Sequence, residues 1–367
     1  MKIKITDRNL LARFGVNPSF SDATKLKLVR QGKAVLVDMD EGVVPKSVTK
    51  NKLKILSGLG QVPGRKDPTL RSEMGKLKDI SEDKLIVWVQ DMERMGGAEL
   101  SSEVVVNEGL KEGFNVVVMT PYNFSKSILK KAKLIILNNI WYFGTIQMGN
   151  ILECLFEDKI PYVKYEHDLR ELSRPGFSLP LFKHAVLDVF ISPAHLEKHQ
   201  RILEIPRSLV LPLAIDVSRF KLHKVKRIKD RVINTSGKLH AKGLMNMKAF
   251  VDSHPEKSFV FYTKKDKIVE QMFANDKNVK ISDPIKNQYL PREYSRAEYF
   301  VHLPQKFQPG ERGVFEAVLC GCKVIINDNV GHSSWGWNWE DIDFIREQLK
   351  QAPVKFWEEM RKIIRWN

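Results

Sequence analysis

The sequence predicts an α/β protein: two doubly wound parallel sheets facing one another across a cleft, preceded by a small basic module. Three observations carry this. Short apolar runs alternate with helical patterns in two successive series, one from residue 84 and one from residue 232. A glycine-bearing loop follows the first strand of each series, at Gly96-Gly97 and at Gly237–Gly243. The connections are short, as they are between the strands and helices of β-α-β units.

The elements follow in order. Residues 1–80 read as a separate module. Met1–Thr6 alternates like a strand, Lys33–Asp38 supplies a second, and Phe20–Val29 carries a helix-start signal and apolar helical spacing between them. Gly58, Gly60, Pro63, Gly64 and Pro68 mark a flexible connection. The first sheet series, residues 81–215, takes strands at Leu85–Val89, Asn115–Met119, Leu134–Leu137, Tyr162–Tyr165, Val189–Ser192 and Leu209–Leu211. The second, residues 216–338, takes strands at Val232–Thr235, Phe259–Tyr262, Val279–Ile281, Tyr299–Leu303 and Val324–Ile326, with a short helix over Val314–Cys320. The tail, 339–367, is helical in pattern. Two Rossmann-like domains with a cleft between them are the simplest architecture for this order.

Composition narrows the class. Hydrophobic residues make up 43% and charged residues 28%, the proportions of a soluble globular chain. No apolar run approaches the ~18 residues a membrane helix needs, and Met1–Gly15 has no apolar stretch of signal-peptide length. Cys154, Cys320 and Cys322 form no disulfide framework, so a reducing, cytoplasmic setting is expected. Cys320 and Cys322 are too close for the usual chelating pair and are expected to pack. The net charge is +16, and residues 1–80 hold 17 Lys/Arg against 8 Asp/Glu. A second basic run spans Arg219–Arg231. Such surfaces attract nucleotide phosphates, nucleic acid or an anionic membrane face, and a solvated face remains the plain alternative.

Ligand chemistry is expected where strands end. Gly97 stands where a strand gives way to a helix, so the backbone can approach a ligand and free N–H groups can meet an anion. Gly237, Lys238 and Lys242 form a glycine-bounded loop whose two point charges suit a diphosphate. Glu316 sits on a helix beside strand ends. His167 and Asp168 follow the strand at Tyr162–Tyr165, and Asp168, Arg170, Glu171 and Arg174 are candidate acceptor-side groups. Ser192-Pro193 and His195 are expected to serve structure at the domain border. Asp38-Met39-Asp40 is an Asp-x-Asp triplet outside the expected active domain, and no metal is assigned to it.

Pro304–Ile326 resembles the donor-site signature of retaining family-4-type glycosyltransferases of the GT-B fold. That signature is a strand ending in Pro, then Glu-Pro-Phe-Gly, seven residues between two glutamates, then Glu-Ala-x-x-x-Gly and a strand. Glu316-Ala317 and Gly321 match its second half. Gln308-Pro309 stands where the first Glu-Pro belongs, with Glu311 three residues on. Gly96-Gly97-Ala98-Glu99 is similar to the family's Gly-Gly-Ala-Glu, and Lys238 takes the place of its arginine. The resemblance implies that Glu316 holds the ribose of a nucleotide-sugar co-substrate. It implies that Gln308 and Glu311 face the sugar, and that His167 contacts the sugar near its reacting carbon. It further implies transfer to an acceptor hydroxyl with retention, Lys238 and Lys242 standing in for a metal. No cofactor beyond the nucleotide sugar is expected.

The acceptor stays open between a glycan or protein and hydroxymethylated DNA. Tyr165-Glu166-His167-Asp168 is similar to a Tyr-x-His-Asp segment of phage DNA alpha-glucosyltransferases, and a +16 chain suits a polyanion. A base in a duplex would have to be flipped out. Two rival classes fit the same pattern: a nucleotide-sugar epimerase, which needs no acceptor, and a non-catalytic nucleic-acid-binding protein on a degenerate transferase body.

Overall fold

The computed structural model describes residues 3–5, 34–36, 85–91, 96–173 and 175–366. Strands β1 (Ile3–Ile5) and β2 (Ala34–Leu36) pair antiparallel and belong to one compact unit, Met1–Leu77; everything else described belongs to a second, Lys78–Asn367. The helix expected at Phe20–Val29 and the Asp38–Asp40 triplet lie outside the described residues.

The second unit contains two parallel sheets. The first has six strands: β3 (Leu85–Val89), β4 (Asn115–Met119), β5 (Leu134–Leu137), β6 (Tyr162–Tyr165), β7 (Leu187–Phe190) and β8 (Ser208–Val210). Their spatial order is β4-β3-β5-β6-β7-β8, with Val87 opposite Val117 on one side and Ile135 on the other. Helices α1 (Gly97–Lys111), α2 (Lys126–Lys130), α3 (Thr145–Phe156), α4 (Pro175–Lys183) and α5 (Pro193–Gln200) join them. β3, β5, β6 and β7 are buried along their whole length. Covered on both faces, they read as continuous apolar runs rather than alternating ones.

The second sheet has five strands: β9 (Arg231–Gly237), β10 (Ser258–Thr263), β11 (Val279–Ser282), β12 (Tyr299–His302) and β13 (Lys323–Ile326), in the order β11-β10-β9-β12-β13. Helices α6 (Leu244–Asp252), α7 (Lys267–Met272), α8 (Leu290–Arg296) and α9 (Arg312–Leu319) connect them. Each sheet has one topological switch point. In the first, the chain leaves β3 for β4 on one side and returns to β5 on the other. In the second, it leaves β9 for β10 and returns to β12. Ligands of open α/β sheets bind at the carboxyl ends of the strands flanking such points.

One helix, α10 (Ile342–Trp366), closes the chain. Its apolar residues Ile345, Leu349, Phe356, Trp357, Met360 and Ile363 recur at helical spacing, and all are buried. They join a core cluster that includes Trp88 and Tyr165 of the first sheet and Ile233 and Phe300 of the second. Phe356 lies 5.5 Å from Tyr165, and Trp357 stacks on Phe114 at 4.5 Å while its Nε1 donates to the Val105 carbonyl at 2.7 Å. Each such fully buried large side chain stabilises by roughly 1.5–3 kcal/mol.

Several boundaries differ from the expected ones for local reasons. β7 ends at Phe190, because Ser192 caps α5 by accepting the His195 N–H at 3.3 Å. α9 starts at Arg312, because Glu311 caps it by accepting the Gly313 N–H. β9 runs on to Gly237, and β8 begins one residue early at Ser208. All three cysteines are free and buried, and the Cys322 thiol donates to the Tyr294 carbonyl.

Candidate active site

The two switch points border one cleft of about 230 Å3. Its walls include Gly97, His167, Ser236, Lys242, Glu311 and Arg312. Gly97 is the first residue of a 15-residue helix and follows a β-conformation cap residue, Gly96. The amides of that first turn have no intrahelical partner, which makes them donors for an anion.

His167 leaves the end of β6 on a turn built by a buried ion pair. Lys164 and Glu166 both have fully buried side chains, with Nζ 2.7 Å from Oε2. The other Glu166 oxygen accepts the His167 and Asp168 N–H groups at 3.1 and 3.0 Å. Burial works against the Glu166 charge, but Lys164 and the nearby His199 and His195 hold its carboxyl below the usual range. His195 donates from Nε2 to the Asp168 carbonyl at 3.1 Å, giving the expected structural role a definite contact. His167 itself is buried, and neither ring nitrogen has a hydrogen-bond partner within the protein. Burial pushes its pKa down to about 3, so the imidazole is neutral. A neutral, unpartnered ring at a cleft wall can donate from one nitrogen and accept at the other.

Across the cleft, Lys242 pairs with Glu311 at 2.5 Å. Burial of Glu311 opposes its charge, yet Lys242, His302 and the Gly313 N–H hold its carboxyl down at about 2. The Glu311 N–H donates to His332 Nε2 at 3.1 Å. His332 is kept neutral by burial, which lowers its pKa to about 3, so its proton sits on Nδ1. Gly243 follows Lys242 at φ +117°, and a Cβ there would run into the Leu303 carbonyl and Pro304. Gly243→Ala is therefore expected to cost on the order of 2 kcal/mol or more, read as a lower denaturant midpoint.

Glu316 is buried on α9. Its Oε1 accepts from Arg312 Nε at 3.0 Å, and its Oε2 accepts from the Tyr294 hydroxyl at 3.4 Å. Burial raises its pKa, and the Arg312 guanidinium pulls it partly back.

The expected residues do not all meet. Gly97, His167, Lys242 and Glu311 share the cleft. Glu316 reaches it through Arg312, to which it is bonded. Gly237 and Lys238 line a neighbouring cavity of about 430 Å3 with His240, Lys264, Lys265 and Asp266. The two lysines of the expected clamp thus face separate spaces. Gln308 is turned aside: its Oε1 accepts from His302 Nε2 at 3.0 Å, and its backbone is tied to Asn329 and Gly331. Asp168 and Arg170 pair with each other at 3.3 Å, with the Arg170 side chain well exposed. The side chain of Glu171 and all of Arg174 lie outside the described residues. Among the described residues, no group of three His, Cys, Asp or Glu is placed to hold a metal, and no helix is long and apolar enough to cross a membrane.

Sequence reasoning missed Arg312, whose Nη1 donates to Ser101 Oγ at 2.8 Å across 211 positions of chain. Its only sequence signal was adjacency to Glu311. Asp91, just beyond β3, was also missed. It is buried and its pKa is raised to about 6, by burial first, while the Tyr142 N–H opposes the shift.

No protein-family model matches the chain, and no curated protein matches it. Solved structures do match. Sucrose-phosphate synthase from Thermosynechococcus elongatus superposes with a TM-score of 0.60 at 13% identity, covering 77% of this chain and 100% of that one. HepE from Anabaena, in complex with UDP and glucose, gives 0.53 at 14%, covering 74% and 94%. An alpha-glucosyltransferase in complex with UDP and a 13-mer DNA containing an HMU base gives 0.51 at 15%, covering 74% and 90%. The two-sheet body therefore has the GT-B glycosyltransferase fold that the resemblance implied.

Proposed function

We propose that the chain is a glycosyltransferase that moves a sugar from a nucleoside-diphosphate sugar to an acceptor hydroxyl. The observation that carries this reading is the cleft itself. It sets a lysine, an unpartnered neutral histidine and a helix N-terminus around one space at two switch points. Structural neighbours that carry UDP, or UDP with glucose, support a nucleotide-sugar donor.

In this reading the diphosphate lies over Ser236–Gly237, between Lys242 in the cleft and Lys238 in the adjoining cavity. The bond from the anomeric carbon to the diphosphate breaks, and the bond to the acceptor oxygen forms. The acceptor proton passes to the departing diphosphate, and the configuration is retained. Lys242 and the Gly97 end of α1 offset the charge of the leaving group without a metal. His167 hydrogen-bonds the sugar, and Glu316 holds the ribose. Glu311 shapes the sugar side. Glu316→Ala is expected to weaken nucleotide-sugar binding about tenfold or more, since a buried site left with an unpaired arginine loses a charge-assisted bond. Calorimetry showing unchanged donor affinity would remove Glu316 from the donor site.

The acceptor is a glycan or protein hydroxyl or the hydroxymethyl group of a modified DNA base. The +16 charge favours the polyanion, and so does the neighbour that carries DNA with an HMU base. One experiment separates the classes: turnover of UDP-glucose with and without hydroxymethylated duplex, at two salt concentrations. Duplex-dependent turnover that falls steeply with salt supports DNA. Turnover with glycan alone moves the acceptor to that class. An inverted sugar with no acceptor identifies an epimerase, and salt-sensitive DNA binding without turnover identifies a binding protein.

A further inference from the structure

Arg312 joins three parts of the second unit. It opens α9, is 8% exposed and lines the cleft. Its Nε donates to Glu316 Oε1 at 3.0 Å. Its Nη1 donates to Ser101 Oγ, in the second turn of α1, at 2.8 Å, and to the Ala214 carbonyl, in the segment between the sheets, at 3.0 Å. Its aliphatic stem lies against Gly97, where a Cβ would meet Cδ at 3.4 Å. One planar guanidinium therefore reads the position of α1 and the position of Glu316 together. A lysine is a point charge on a flexible stem and cannot make this fork.

We infer that Arg312 is the positioning residue of the donor site, holding the Glu316 carboxylate in one orientation and tying it, through Ser101, to the first sheet. This rests on the donor reading above. Glu316 needs such a partner. The groups around it are Glu311 at the start of α9, Tyr294 on α8, Cys320 beyond α9 and Arg219 on the segment before β9. Of these only Arg219 is a cation. Burial favours the neutral acid, and Arg312 opposes it most strongly. Without Arg312 the carboxyl takes up a proton at higher pH and can turn towards Tyr294. The variant's donor affinity should then change with pH over a higher range than that of wild type, in which Arg312 favours the ionised form.

The test uses the full chain and UDP-glucose, whose phosphodiester-type linkages keep one charge state between pH 6 and 9. In Arg312→Met, affinity is expected to fall on the order of 30-fold at pH 7 and to recover as pH rises and Glu316 ionises. Arg312→Met with Glu316→Gln should lose that pH dependence. Arg312→Lys should keep the wild-type profile with a loss of a few-fold, since the ammonium still meets Glu316 but not Ser101 and Ala214 together. It is read alone if the methionine variant does not fold, and wild-type affinity in it would overturn the inference. So would an Arg312→Met profile that runs parallel to wild type. A second arm needs no nucleotide. Glu316, its folded pKa raised above the unfolded value, costs stability increasingly as pH rises through that interval. The melting-temperature gap between Arg312→Met and Arg312→Met/Glu316→Gln should therefore widen from pH 5 to pH 8. If wild type fails to bind UDP-glucose while the gap widens, the donor reading falls and the hold of Arg312 on Glu316 stands. If wild type binds and the gap stays constant, the inference about Arg312 falls alone.

Discussion

Lys242→Ala is expected to lower kcat by about 100-fold or more, with a smaller change in donor KM. The leaving diphosphate gains negative charge as its bond to the sugar breaks, so a fixed cation beside it acts most strongly in the transition state. Removing one preorganised group of this kind typically costs roughly 2.7–4 kcal/mol of barrier. Lys242 is held ready by Glu311 at 2.5 Å, and its half-buried side chain keeps room to move from carboxylate to phosphate. The variant also strands Glu311, a largely buried carboxylate kept charged by that lysine. Lys242→Arg retains charge and should recover part of the rate. Lys238→Ala, in the adjoining cavity, should have the milder effect on kcat. Steady-state kinetics on all three decide it: equal losses at 238 and 242 would place the diphosphate symmetrically between the two lysines, and no loss at 242 would move the charge stabilisation elsewhere.

Lys164→Met is expected to be the most damaging single change to stability. It leaves Glu166 fully buried and without its closest cation, a situation that costs roughly 3–5 kcal/mol. A body of this size should then melt on the order of 10 °C lower. The pH dependence has a definite sign. In wild type Glu166 is held below its unfolded pKa, so the pair's contribution is present above the unfolded value and is lost as pH falls through the folded one. In the variant burial dominates, the folded pKa rises above the unfolded value, and stability returns as acid neutralises Glu166. The deficit should be largest at pH 8 and should shrink towards pH 5. Lys164→Met with Glu166→Gln removes the stranded charge and should recover much of the loss. A deficit independent of pH would mean lost packing rather than a lost ion pair. Because Glu166 also accepts the His167 and Asp168 N–H groups, Lys164→Met should also impair turnover through a displaced His167.

The strands and the parallel character of both sheets were legible from apolar runs and short connections, while their spatial order came only with the structure. Buried parallel strands must be apolar throughout, so Leu134–Leu137 and Tyr162–Tyr165 announce themselves wherever they pack. Boundaries were less legible, because a cap acts through one side chain. Ser192 and Glu311 each ended or began an element by accepting a nearby N–H. Within the candidate site, Gly97, His167, Lys242 and Glu311 meet because each lies on the connection that follows a strand, and those connections gather at the switch points.

The linear order of residues was enough to determine a doubled α/β body and the loops that border its cleft, since periodicity and glycine placement act over a few neighbours. Direction and partnership belonged to the tertiary structure. Lys238 and Lys242 are four residues apart, yet Gly237 at φ +67° and Gly243 at φ +117° bend their loop so that they face different spaces. Gln308 is claimed by His302, and Arg312 reaches Ser101 across 211 positions. Contacts of that span exist only once two separately formed sheets share a core, because what a side chain finally bonds depends on which surface the packing brings to it.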